Sequence, residues 1–162
     1  MTDNQQTRRT ALTWLGTAAA ASFLTACGAA QAATFKVKYT DAEWKKRLTK
    51  AQYYILREQG TEEPFSSPLL NEHRKGTFLC AGCNNDLFAS NTMFHSGTGW
   101  PSFYQPLPGA VGTTSDFKLG YPRTEVHCAD CGGHLGHVFK DGPKPTGRRY
   151  CMDGDGLKFR PA

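Results

Sequence analysis

Two short cysteine pairs do most to limit what this chain can become. Cys80-Ala81-Gly82-Cys83 and Cys128-Ala129-Asp130-Cys131 each set two thiols on one tight turn, with residues 84–127 between them. Two such pairs can give four thiolates to one tetrahedral ion, the closed arrangement of a structural zinc site. Gly82 and Gly132 suit the sharp backbone of such a turn. The competing reading is two disulfides or two redox dithiols, which an oxidising compartment favours. A closed set of four is the recurrent structural pattern, whereas a redox centre needs only one pair. The expectation is therefore Zn2+ held by Cys80, Cys83, Cys128 and Cys131. Four sulfurs leave no coordination position open for substrate, so the metal is structural.

The first 32 residues do not read as part of a fold. Arg8-Arg9 precedes a stretch, Ala11 to Ala26, that carries no charge. It is short for a membrane span, which needs about 20 apolar residues, and suits the apolar core of an export signal. The arginine pair gives it a twin-arginine look, although Ala11 stands where a larger apolar residue usually helps. Leu24-Thr25-Ala26-Cys27 resembles a lipoprotein signal that would leave Cys27 lipidated. Ala30-Gln31-Ala32 offers ordinary cleavage before Ala33. The expected location is the bacterial envelope, periplasmic or anchored by lipid. A twin-arginine route exports folded protein, so zinc could be loaded before the thiolates meet oxidant.

Of six cysteines, loss or lipidation of Cys27 leaves five, an odd number. The one outside a pair is Cys151, in Arg148-Arg149-Tyr150-Cys151-Met152-Asp153. A thiol reacts as thiolate, and neighbouring cations lower its pKa. The plain alternative is a buried, inert cysteine. The net charge of +5 comes from scattered basic residues, without the clustered face of a nucleic-acid binder.

Residues 33–162 are expected to form one domain. Thr40-Asp41-Ala42-Glu43 and Thr49-Lys50-Ala51-Gln52 have capping-box spacing, which predicts short helices near 41–47 and 50–58. Gly60 and Pro64 end the second, and Tyr53, Tyr54 and Ile55 read as core. From Gly76 onward short β runs alternate with turn residues. Strands are predicted at 77–80, 87–89, 92–95, 117–119, 124–128, 134–139, 148–152 and 157–160. The pattern is mainly β, in antiparallel sheets. Phe94 to Phe103 is rich in glycine and aromatics and reads as a loop. Trp100 and Phe103 suit a pocket wall beside a nucleophile as well as they suit a core.

Gly97-Thr98-Gly99-Trp100-Pro101-Ser102-Phe103, the two cysteine pairs, His134-Leu135-Gly136-His137-Val138-Phe139 and Arg149-Tyr150-Cys151 together resemble the B-type methionine sulfoxide reductases. The resemblance runs from about Thr40 to Pro161. It implies two antiparallel sheets with small N-terminal helices and a structural zinc. It also implies reduction of methionine (R)-sulfoxide in proteins, with a thioredoxin-like thiol as reductant. By position, Cys151 matches the family's nucleophile and Trp100 its methyl-pocket tryptophan. His134, His137 and Arg149 match the polar groups around the sulfoxide oxygen.

Two positions depart from the family. Asp153 stands where asparagine is usual, and as an anion it would oppose a thiolate. It is expected to be turned away or to hold a proton that assists the oxygen. Thr98 stands where some members carry a resolving cysteine, so an external thiol is expected to recycle Cys151. No obligate interface is evident, and a monomer is expected. Two other readings remain: a zinc-stabilised binding module with an inert Cys151, or a thiol that senses peroxide directly. Neither needs Trp100 and both histidines.

Overall fold

The computed structural model describes residues 34–162 of the chain. The expected leader, with Cys27 and both processing sites, lies outside the described residues. The two capping boxes form as the sequence predicts. Thr40 Oγ1 accepts from the Glu43 amide at 3.3 Å, and the Glu43 carboxylate accepts from the Thr40 amide at 2.8 Å. Thr49 and Gln52 repeat the exchange. Each satisfies amides that a helix start leaves without partners. Helix α1 is Asp41–Arg47 and α2 is Lys50–Glu58, the predicted bounds.

Helix α2 buries Ile55 and Leu56, while Tyr54 is 49% exposed rather than core. Consecutive residues are about 100° apart around a helix, so 53, 54 and 55 cannot share one buried face. Gln59, not Gly60, adopts the left-handed conformation that closes α2.

Nine strands follow. They are β1 (Gly76–Cys80), β2 (Asp86–Ala89), β3 (Met93–Phe94), β4 (Ser102–Phe103), β5 (Val111–Asp116), β6 (Arg123–Cys128), β7 (His134–Phe139), β8 (Arg149–Met152) and β9 (Leu157–Pro161). They form two sheets, ordered β2-β1-β9 and β3-β4-β8-β7-β6-β5. Every pairing is antiparallel. Two strand expectations change. The 117–119 stretch is the turn after β5, and Phe117 and Leu119 are 65% and 59% exposed. The strand is Val111–Asp116, whose register with β6 runs unbroken from Val111↔Cys128 to Asp116↔Arg123. Ser102-Phe103, in the stretch read as a loop, is a two-residue strand beside β8.

An aromatic cluster joins the two sheets. Phe103 of β4 stacks on Phe88 of β2 at 4.3 Å and meets Phe78 of β1 edge-on at 4.9 Å. All three are fully buried. Helix α2 lies against the same body. Leu56 reaches the Gly82 and Gly133 turns, and Ile55 reaches Gly156.

Candidate active site

The four paired cysteines converge. Cys80 Sγ lies 3.7 Å from Cys131 Sγ, and Cys83 Sγ lies 3.5 Å from Cys128 Sγ. All four sulfurs fall within 4.8 Å of one another. Thiolates at about 2.3 Å from a tetrahedral ion sit about 3.8 Å apart, so the donor set fits one ion. The two turns are built alike. The Asn84 amide donates to the Cys80 carbonyl and the Gly132 amide to the Cys128 carbonyl, both at 2.9 Å. Asn84 and Gly132 are the left-handed residues, with φ of 61° and 67°. Gly82, expected in that role, instead lies under Leu56 and Trp44, where a Cβ would stand 3.3–3.4 Å from both side chains.

Cys151 lies in the middle of the six-stranded sheet, on β8 between β4 and β7. Its register partners are Ser102 and His137. Alternation along a strand sends neighbours to opposite faces. Ser102 and His137 therefore share the face of Cys151, while Phe103 and Val138, paired with Tyr150, face the other way. Phe103 thus belongs to the core, not to a pocket wall, and the sequence reading is corrected on that point. Ser102 takes its place beside the thiol.

His134 reaches this face by a backbone irregularity. It lies an odd number of residues from His137, which in a regular strand would put the two on opposite sides. The β6–β7 register slips between Val126 and His127, so that Val126 opposes Gly136 while His127 opposes His134. The extra residue, Leu135, is fully buried in the core. A bulge of this kind re-aims a side chain, and the two imidazole centroids end 5.4 Å apart. Gly136 permits it. Its φ is 144°, and a Cβ there would fall 2.1 Å from the Cys151 carbonyl oxygen.

Each histidine has a carboxylate partner. His134 Nδ1 is 2.8 Å from Glu125 Oε1, and His137 Nε2 is 2.7 Å from Asp116 Oδ2. His127 and His134 hold the Glu125 carboxyl down to about 2. Asp116 is held well below the usual range by the Lys118 amide, His137 and Arg123. Since both acids are anions, the facing ring nitrogens carry protons, which leaves His134 Nε2 and His137 Nδ1 as acceptors when the rings are neutral. Burial pushes His137 below its ordinary pKa against the pull of Asp116.

Arg149, also on the Cys151 face, makes a two-armed pair with Asp141 at 3.0 and 2.8 Å and lies 4.4 Å from the centre of the Phe139 ring. Arg148 is exposed and stands apart. Contrary to the expectation from the arginines, the Cys151 thiol is pushed up. Burial outweighs the favourable influence of Thr98, Arg149 and Ser102. Thr98 Oγ1 is 3.7 Å from the sulfur. Ser96 Oγ is within 2.9 Å of the hydroxyls of both Thr98 and Ser102.

Asp153 is 4% exposed, and burial is the main cause that pushes its carboxyl up to about 7. Its Oδ1 accepts from the Glu62 amide at 3.0 Å, and its Oδ2 lies 3.9 Å from His134 Nε2. The side chain is turned inward, in the environment of a proton-holding acid. Trp100 donates its indole N–H to the Glu62 carbonyl at 3.2 Å. Glu62 carried no signal in the sequence. A small recess of about 180 Å³ is lined by Thr61, Asp116, Arg123, Glu125, His134 and His137. A larger groove, about 700 Å³, is lined in part by Trp100 and Ser102, so the two cavities divide the site's residues between them, the histidines on one and the indole on the other.

A single half-buried thiol outside the four-cysteine cluster, with two carboxylate-oriented histidines on the neighbouring strand, is the equipment of a thiol-dependent oxidoreductase. The chain belongs to the SelR domain family, whose model matches residues 48–161. It is 54% identical to a peptide methionine sulfoxide reductase MsrB of Agrobacterium fabrum, across 78% of this chain and 94% of that protein. A protein of the same name from Leptospira interrogans is 52% identical, across 78% and 97%. Another from the archaeon Methanosarcina barkeri is 50% identical, across 76% and 88%.

Proposed function

We propose that this protein reduces methionine (R)-sulfoxide in oxidised proteins, with Cys151 as nucleophile. The observation that carries the reading is the face made by Cys151, Ser102 and His137, onto which the β7 bulge adds His134. The resting thiol is protonated, so attack begins with transfer of its proton to a neighbouring acceptor, a role for which His137, the register partner of Cys151 on β7, is the candidate. The thiolate attacks the sulfoxide sulfur. Asp153, able to hold a proton near neutral pH, and the histidines protonate the departing oxygen. The net step converts thiol and sulfoxide into sulfenic acid and thioether: Cys151 sulfur is oxidised by two electrons and methionine sulfur reduced by two. Trp100 holds the methyl group and Arg149 faces the oxygen.

Recycling needs two further thiols. One displaces water from the sulfenic acid to give a mixed disulfide, and the second releases Cys151 as thiol. Among the described residues, the other cysteines are the four of the cluster, and Thr98 occupies the position nearest the sulfur. An external thioredoxin-like thiol therefore supplies both. Zinc is the ion the four cysteines suit: sulfur donors, tetrahedral spacing and a closed shell make it structural. The protein acts in the bacterial envelope as a monomer, freed before Ala33 or anchored through Cys27.

The test supplies residues 33–162 with a small thiol and, separately, the R and S epimers of peptidyl methionine sulfoxide. Methionine from R alone, abolished by Cys151→Ser, is the expected result. Turnover of neither epimer by a folded, metal-loaded domain would return the chain to the binding-module reading.

A further inference from the structure

The segment between α2 and the 68–71 turn has no part in the chemistry described so far, yet one of its residues touches most of the site's support. Glu62 makes four hydrogen bonds. Its amide donates to Asp153 Oδ1 at 3.0 Å, and its carbonyl accepts from Trp100 Nε1 at 3.2 Å. Its carboxylate accepts from the Gly154 amide at 2.7 Å and from the Asp155 amide at 2.8 Å. The same segment is fastened further along, where the Phe65 amide donates to the Gly99 carbonyl at 2.7 Å. Two side chains with different tasks, the methyl-pocket indole and the acid after the nucleophile, therefore hang from the carbonyl and the amide of one residue.

We propose that Glu62 is a positioning residue for the reaction: its two-armed carboxylate clamps the 153–155 turn, and its backbone thereby sets Trp100 and Asp153 relative to each other. This rests on the reductase reading of the site. The clamp depends on an anion of this length. Two consecutive amides need two acceptor oxygens. Glutamine supplies one oxygen and turns a donor toward the other amide, and alanine supplies none. The Gly154 arm is part-buried, so an unpaired amide there is costly. A residue that merely closed a turn would change stability and leave the indole and substrate binding alone.

The test compares Glu62→Gln and Glu62→Ala with the parent protein by hydrogen exchange at the Trp100 indole N–H, identified by its loss in Trp100→Phe. Steady-state kinetics on an R-sulfoxide peptide run alongside. Glu62→Ala is expected to speed indole exchange and raise KM about tenfold, the scale of one lost hydrogen bond to a charged group. Glu62→Gln is expected to fall between it and the parent. If Glu62→Ala does not fold, Glu62→Gln alone carries the comparison. A lower melting temperature with unchanged indole exchange and unchanged KM would overturn the proposal. Failure of the parent protein to reduce either epimer would instead overturn the reductase reading, while the indole exchange still reports on the clamp.

Discussion

Among the described residues, five thiols stand in two settings that differ in almost everything but the functional group. At the cysteine cluster, two turns of the same design bring four sulfurs within 4.8 Å of one another. At the centre of the larger sheet, Cys151 has a hydroxyl as its near neighbour, 3.7 Å away, with Ser102 opposite it on one side and His137 on the other. Thiolates that crowd together need a cation between them, and four of them fill a tetrahedral ion, leaving it no position for substrate. A thiol held apart from a metal stays available as a nucleophile and can change its oxidation state. The difference lies in the backbone, since turns gather sulfurs and a strand isolates one.

Removing the metal tests that contrast most severely. Chelation under reducing conditions should abolish cooperative melting, a loss on the order of 10 kcal/mol, because four crowded sulfurs lose the ion they share. An unchanged melting curve would deny the cluster its structural role. Cys151→Ser should do the reverse. Turnover should drop at least about a thousandfold, while bound metal, assayed by mass, and the melting temperature stay as they were.

Phe103→Ala probes the face behind the thiol. Loss of the ring stacked on Phe88 should destabilise by about 4 kcal/mol in urea titration, with KM of the folded fraction unaltered. A large KM effect would put Phe103 back in the pocket.

Asp153→Asn should lower turnover by about a hundredfold and remove a pH limb. The sign follows from a carboxyl raised from 3.8 to about 7 in the folded state. The native protein then binds the extra proton between those values. Its stabilising effect is complete below about pH 4 and lost as pH rises through about 7, as is the acid-dependent rate. Glu125, held at about 2, has the opposite sign: its contribution is present above its ordinary value and lost as pH falls toward 2. Unchanged activity and pH profile in Asp153→Asn would remove Asp153 from the proton path. The smallest change should come from Thr98→Cys. Placed beside the sulfur, it should yield a disulfide to Cys151 during turnover, seen by mass after alkylation, with little effect on stability.

What the sequence determined is what depends on near neighbours along the chain. Capping boxes satisfy amides three residues away, so both helices begin and end where the pattern puts them. Cysteine spacing fixes a turn, and two turns of one type announce a shared ion. The motifs around Trp100, the histidines and Cys151 were enough to show the family. Register was not legible, because nothing in Ser102-Phe103 says which side chain will face Cys151 until β4 pairs with β8. The bulge that swings His134 beside His137 lies in β7 and is defined only by its register with β6, and Gly136 only permits it. Desolvation was hidden for the same reason. Arg149, two residues before Cys151, suggests a lowered pKa, but burial in the folded domain raises it. Glu62 was invisible because its partners, Trp100 and Asp153, are distant in sequence and meet it only in the folded domain. Caps and spacings act over a turn or two, whereas facing, burial and proton affinity are set by which distant strands pair, and only the tertiary structure decides that.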